Sequence, residues 1–282
     1  MNLEYTISDL YNTDVEYSVD APDNQNFQYG NDITLSNEIN DITFNQSWYD
    51  EGYISSKFLH SNEFKELING ITNTITKLIE DELGVDTNGF TLETYHKYVK
   101  SNDEHFKIVS KTRDLFSSDF GFPIKKMIPK FESLLGFELT YEIPYSSENE
   151  HIIVRINRPQ SNDYNPPHKD MYEGYDKGKN FQFLNFWVPI AGVTNKSSLP
   201  ISPKSHLISE KDILRTIDGG KVGVNEYRVC LIKEWGGDSK LKRADVVDGE
   251  VLMFSSHIIH GLAINDEPNK TRVALEFRLF KK

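Results

Sequence analysis

The chain has 282 residues, with 31 Lys and Arg against 43 Asp and Glu, a formal balance of −12 with His neutral. At 38% hydrophobic and 26% charged residues it can fill a globular core, which excludes disorder along most of its length. The acidic balance and scattered basic residues argue against nucleic acid as a partner, since phosphate-backbone binding needs clustered Lys and Arg.

In chain order, the first ten residues lack the basic head and apolar segment of a secretory signal. Residues 1–56 hold eleven acids and no Lys or Arg, so nearly the whole charge surplus sits there. With short apolar pairs (Ile33/Leu35, Ile42/Phe44), residues 1–60 read as turns and short strands or an irregular wrap that presents a solvated acidic surface. From Ser61 the period changes: Phe64, Leu67, Ile68, Ile71, Ile75, Leu78, Ile79 and Leu83 recur at three- and four-residue steps, one face of a helix. Ser61 is the expected N-cap and Gly84 the stop. Further helices are expected over 92–99, 104–115 and 123–136, so 61–135 form a helical layer.

Beyond Gly136 the texture turns to β, with strands expected over 137–143, 152–157, 181–190, 227–233, 246–254 and 272–280. The longest apolar runs, such as 251–254, are strand-sized, far below the roughly 18–20 residues of a membrane span. Cys230 is the only cysteine, which fits a reducing, cytoplasmic setting. Helices followed by a run of strands predict a mainly β protein with a helical layer, a sandwich or barrel of the jelly-roll type. The length is read as one domain, 1–282: an acidic wrap (1–60), the helical layer (61–135) and a β core carrying the site (136–282).

His168 and Asp170, in Pro166-Pro167-His168-Lys169-Asp170, are two apart, so in an extended backbone both side chains point to one face and converge on one ion. The prolines bias the approach toward extended geometry. A third ligand is available where an apolar strand ends in His257 and His260. Two imidazoles and a carboxylate on one face of a metal leave the opposite positions open, the arrangement used for non-haem Fe(II) and O₂. On the last strand Arg272, Ala274, Glu276 and Arg278 share one face, with Val273, Leu275, Phe277 and Leu279 on the other. Asn185 and Trp187 share a face with Phe181 and Phe183. Residues 171–180 and 208–223 are the expected lids, Arg278 is expected in a same-strand charge network with Glu276, and His206 is read as capping a turn.

From about Arg155 to the C-terminus these residues resemble the Fe(II)/2-oxoglutarate-dependent oxygenases, and within them the phytanoyl-CoA dioxygenase-like group. The likeness rests on the His168/Asp170 triplet, the distal His260-Gly261, Arg272 a dozen residues later, and Leu199-Pro200-Ile201-Ser202-Pro203-Lys204-Ser205-His206. That last segment is similar to the group's "PGSH" motif, with Lys204 where glycine is usual, a departure that bears on the local turn and not on the metal ligands. The resemblance implies a double-stranded β-helix core flanked by helices and Fe(II) held by His168, Asp170 and His260. It further implies 2-oxoglutarate on the iron with its far carboxylate on Arg272, Trp187 beside this cosubstrate, and Asn185 offering it an amide. The implied reaction uses O₂, releases succinate and CO₂, and hydroxylates an unactivated C–H bond of a small molecule. A cupin-like metal enzyme without 2-oxoglutarate, which would not need Arg272, and a non-catalytic binding module on the same fold are the alternatives.

Overall fold

The computed structural model describes residues 1–113, 115–144, 152–179, 182–223, 225–237 and 239–282. It begins with a hairpin, β1 (Asn2–Ser8) and β2 (Asp14–Asp20), whose alternation buries Leu3, Tyr5 and Ile7 on one side. The short β3 (Gln28–Tyr29) and then β4 (Tyr53–Lys57) complete the acidic segment.

The helical layer comprises α1 (Ser61–Leu83), α2 (Tyr95–Tyr98) preceded by one 3₁₀ turn, α3 (Asn102–Lys111) and α4 (Ile124–Leu135). The apolar stripe of α1 buries Phe64, Leu67, Ile71, Ile75 and Ile79, as its spacing requires. Its N-cap is His60 and not Ser61, because the His60 amide donates to the Glu63 carboxylate and so takes Ser61 into the first turn. Gly84 ends it in a left-handed conformation (φ 64°).

The β half runs β5 (Leu139–Thr140), β6 (Ile153–Asn157), a one-turn α5 (Tyr172–Tyr175), β7 (Phe183–Ala191), β8 (Pro200–Ile201), β9 (Ile213–Arg215), β10 (Gly220–Val222), β11 (Asn225–Tyr227), β12 (Ile232–Trp235), β13 (Lys240–Arg243), β14 (Glu250–Ser255) and β15 (Arg272–Lys281). One sheet has the order β4-β14-β7-β15-β5, with β6 also paired to β15. Two smaller sheets, β2-β1-β13-β8 and β12-β9-β3, bring the N-terminal strands in among strands of the β half. The acidic segment is therefore part of the sheet system: β1 pairs in parallel with β13, and the Tyr5 hydroxyl donates to the Ile232 carbonyl at 2.8 Å.

The large sheet positions the site because its two faces differ. Leu184, Phe186, Val188, Val251, Met253, Val273, Leu275, Phe277 and Leu279 pack against α1, α3 and α4 in one apolar cluster. Trp187, Leu252, Phe254 and Ala274 pack on the opposite face with Leu199, Ile201 and Ile258. The charged row of β15 thus faces inward, away from the helices.

Several expected strands shift for identifiable reasons. The run 227–233 splits, because β11 ends a hairpin with β10 at Tyr227 while β12 starts at Ile232 to pair with β9. Strand β14 starts at Glu250, because Val247 to Glu250 form a turn with Gly249 at φ 81°. Only Leu139–Thr140 of 137–143 is strand. Residue 181 of the expected 181–190 strand, and residue 180 of the expected lid, lie outside the described residues.

Candidate metal centre

His168 and His260 come from distant parts of the chain and meet by direct backbone pairing. Each amide donates to the other residue's carbonyl, at 2.9 and 3.0 Å, a two-residue antiparallel bridge. Ile201 bridges His260 from the other side, and the Ile259 carbonyl accepts from Ser202 at 2.7 Å. Gly261 is required at this junction: its φ is 125°, and a Cβ there would lie 2.5 Å from the Pro166 carbonyl oxygen. Lys204 takes the left-handed conformation (φ 64°) that glycine would adopt without strain, so the turn before Ser205 is kept despite the side chain.

Alternation about Lys169 sends His168 and Asp170 to the same side, as the spacing requires, and all three side chains are buried. One donor atom from each of His168, Asp170 and His260 lies within 4.8 Å of the other two. His168 Nε2 is 3.5 Å from Asp170 Oδ1, and His260 Nε2 is 3.5 Å from Asp170 Oδ2. An ion held at about 2.1 Å by each donor sets them about 3.0–3.5 Å apart, so the cluster is of the right size and chemistry for one ion once the donors draw in. The Nδ1 atoms lie 2.7 Å from the Pro166 carbonyl (His168) and 3.1 Å from the Ile258 carbonyl (His260). Protons on Nδ1 satisfy both carbonyls and leave the Nε2 lone pairs facing inward. Burial pushes the His260 imidazolium down to about 4, so the ring is neutral near pH 7. Burial opposes charge on Asp170, but the Arg278 guanidinium, with Nη2 at 2.9 Å from Oδ1, holds its carboxyl well below the usual range.

Deeper on the same inner face lies a group of donors. Arg272 is 1% exposed; among the described residues its Nη2 reaches only the Ala263 carbonyl, at 3.4 Å, and Nε and Nη1 have no partner. Its guanidinium carbon is 5.8 Å from the Trp187 ring centroid. Among the described residues Trp187 Nε1 is likewise buried and without a partner. Asn185 Nδ2 is also buried and without a partner there, but the register of β7 sets Asn185 opposite Arg278 and not Arg272. Burial pushes Arg272 down to about 10, so it keeps its charge near neutral pH. Several buried donors without acceptors are costly unless something accepts from them, which makes this part of the interior suited to an anion.

Other polar residues fall elsewhere. Arg278 does not pair with Glu276: Glu276 takes Arg155 at 2.6 Å, because β6 sets Arg155 beside Glu276 across the sheet, while Arg278 reaches Asp170. Asn157 Nδ2 donates to the Asp163 and Ala263 carbonyls, a fastening role. His257 lies outside the cluster; it is buried against Asp41, with Nδ1 3.4 Å from Oδ2. His206 sits buried inside a 3₁₀ turn, edge-on to Tyr49, and does not cap through its ring.

Behind the His168–Asp170–His260 cluster lies a polar network with no signature in the sequence. Lys169, 1% exposed, pairs with Glu210 at 3.0 Å, and Tyr172 donates to the same carboxylate at 2.7 Å. Arg215 grips Asp176 through two bonds of 2.9 Å and stacks 3.8 Å from the Tyr172 ring centre. The two expected lids are therefore fastened to one another through Tyr172–Glu210 and Asp176–Arg215. In the acidic segment Asp41 accepts from Ser36 and Ser255 and neighbours His257. Alternation turns Lys169 away from His168 and Asp170; nothing in the sequence shows that this side is buried or names its partners. An open groove of 520 Å³ between β4 with the link that follows it, α4 and β14, lined by Phe58, Leu59 and Lys130, holds none of the cluster residues.

No protein-family model matches the chain, and no curated protein sequence does. Solved structures do share its fold. EctD from S. alaskensis, with 2-oxoglutarate and 5-hydroxyectoine, superposes with a TM-score of 0.50 at 13% identity, covering 93% of this chain and 86% of that one. AviO1 from Streptomyces viridochromogenes Tue57 gives 0.49 at 11% identity over 88% and 96%. EvdO2 from Micromonospora carbonacea var. aurantiaca, complexed with 2-oxoglutarate, gives 0.45 at 12% over 90% and 93%. The fold is the double-stranded β-helix flanked by helices, as the sequence implied. Among the described residues no helix is long and apolar enough to cross a membrane.

Proposed function

We propose that this protein is a non-haem iron, 2-oxoglutarate-dependent dioxygenase that hydroxylates a C–H bond of a small organic molecule. His168, Asp170 and His260 are its iron ligands, and Arg272 is the anchor for the far carboxylate of 2-oxoglutarate. The observation that carries the reading is the pairing of a buried two-histidine, one-carboxylate cluster with a buried arginine whose Nε and Nη1 lack partners among the described residues. A planar guanidinium offers a carboxylate two parallel bonds, and Trp187, 5.8 Å away, adds an Nε1 donor nearby that is unpaired among the described residues. EctD, whose fold this chain shares, was crystallised with 2-oxoglutarate, which supports the cosubstrate assignment.

Ferrous iron with 2-oxoglutarate and O₂, when bound, supplies the oxidising power, with succinate and CO₂ released. The chain's own part is to bind, orient and exclude water. The two imidazoles present Nε2, Asp170 supplies a carboxylate, and the three together occupy one side of an ion. Arg272 sets the depth at which a keto-diacid lies, and the Trp187, Leu252 and Phe254 layer keeps its methylenes out of water. The retained carboxylate at Asp170 supports an oxygenation outcome.

The test is succinate release with Fe(II), 2-oxoglutarate and a screen of small metabolites, alongside calorimetric binding of 2-oxoglutarate to Co(II)-loaded protein. Arg272→Ala should weaken 2-oxoglutarate binding by about 100-fold while metal binding persists, as expected for removal of one partner of a buried charge pair. His260→Ala and Asp170→Ala should abolish turnover. A wild-type protein that neither binds nor consumes 2-oxoglutarate would refute the assignment.

A further inference from the structure

We propose that Arg278 is a positioning residue for the metal centre: it holds one oxygen of Asp170 and thereby keeps that ligand in a one-oxygen binding mode. The inference rests on the metal-ligand reading above. Arg278 Nη2 donates to Asp170 Oδ1 at 2.9 Å; Oδ1 also stands 3.5 Å from His168 Nε2, and Oδ2, which has no such bond from Arg278, stands 3.5 Å from His260 Nε2. A charge-assisted bond on one oxygen leaves the other as the better ligand, and a carboxylate so held does not close a second position on the ion.

The arginine is itself held in place. Its guanidinium carbon lies 5.1 Å from the Phe183 ring centroid, Nη1 is 3.5 Å from Glu173 Oε2, and β15 sets it opposite Asn185 of β7. Glu173 lies three residues beyond Asp170, so one guanidinium spans the ligand and the short helix that follows it. Arg272 and Arg278 share a face of β15 but stand six residues apart, about 20 Å along a strand. They therefore serve opposite ends of the site: Arg272 at a closed, donor-rich end, Arg278 at the partly open end beside the carboxylate ligand. Its side chain is 28% exposed, against 9% for Asp170.

The experiment titrates Co(II) into the full chain against a competing chelator and records the ligand-field absorption spectrum. Arg278→Ala and Arg278→Gln should bind Co(II) about 10–100-fold more weakly, the usual effect of losing a partner that orients a ligand. Their spectra should shift, and Arg278→Lys should recover part of both losses. Thermal unfolding of each variant separates this from loss of fold, and if Arg278→Ala does not fold, the Gln and Lys variants carry the comparison. Folded variants with wild-type affinity and spectrum overturn the positioning role and leave the metal site standing. Wild-type protein that takes up no Co(II) overturns the metal reading and this proposal together.

Discussion

Lys204 and Gly261 occupy the two tight corners beside the histidines, and they meet the same demand differently. Gly261 has neither the clash with the Pro166 carbonyl nor the penalty of a positive φ, whereas Lys204 carries a Cβ in the left-handed region. That conformation costs an L-residue about 1–2 kcal/mol, partly offset because glycine would lose about 0.5–1 kcal/mol more backbone entropy on folding. The Lys204–Glu51 ion pair, 3.1 Å long and more than half exposed, adds little. Lys204→Gly should therefore raise the melting temperature by about 1–3 °C. A lowered melting temperature would mean that the lysine side chain contributes more than its ion pair.

Among the elements, β7 carries the largest division of labour. Its even-numbered residues Leu184, Phe186 and Val188 hold the helical layer, and its odd-numbered residues Asn185 and Trp187 face the site. Phe186 stacks on Phe277 of β15 with centroids 4.9 Å apart and planes 5° from parallel, and Phe131 of α4 packs against it at 4.6 Å. Three elements thus depend on one ring. Phe186→Ala should cost about 3–5 kcal/mol by urea denaturation, from lost burial and the cavity left behind. A loss below about 1 kcal/mol would show that α4 docks without this stack. Period-two alternation made the two faces of β7 and β15 legible in advance; the partner on each face was not, because strand order and register are set by contacts far apart in sequence.

Across the whole molecule, buried histidines give stability a defined pH dependence. Burial pushes His105 and His257 each down to about 4, from an ordinary value of 6.5. Between those values the unfolded chain binds protons that the folded chain refuses. Stability is therefore full above about pH 6.5 and falls as pH drops toward 4, by up to about 1.4 kcal/mol per pH unit for each histidine. Asp41 and Asp163, which neighbour these rings, are held below their usual range despite burial, so they add to the loss at still lower pH. Urea midpoints should fall between pH 7.5 and pH 5, and more shallowly in His105→Gln; a flat profile would contradict the burial of these rings as neutral groups. What local geometry controls could be read along the chain: the helical stripe of α1, the two faces of β15, the convergence of His168 with Asp170, and the glycine beside His260. Folding in three dimensions was needed for His168 and His260 to pair backbone to backbone, for Arg278 to reach Asp170 while Glu276 takes Arg155, for Lys169 to turn inward to Glu210, and for the acidic N-terminal strands to join the sheets. The reason is physical: alternation and helical spacing act over a few residues and are written in the chain, whereas these pairings close loops of tens to hundreds of residues and depend on how the sheets stack.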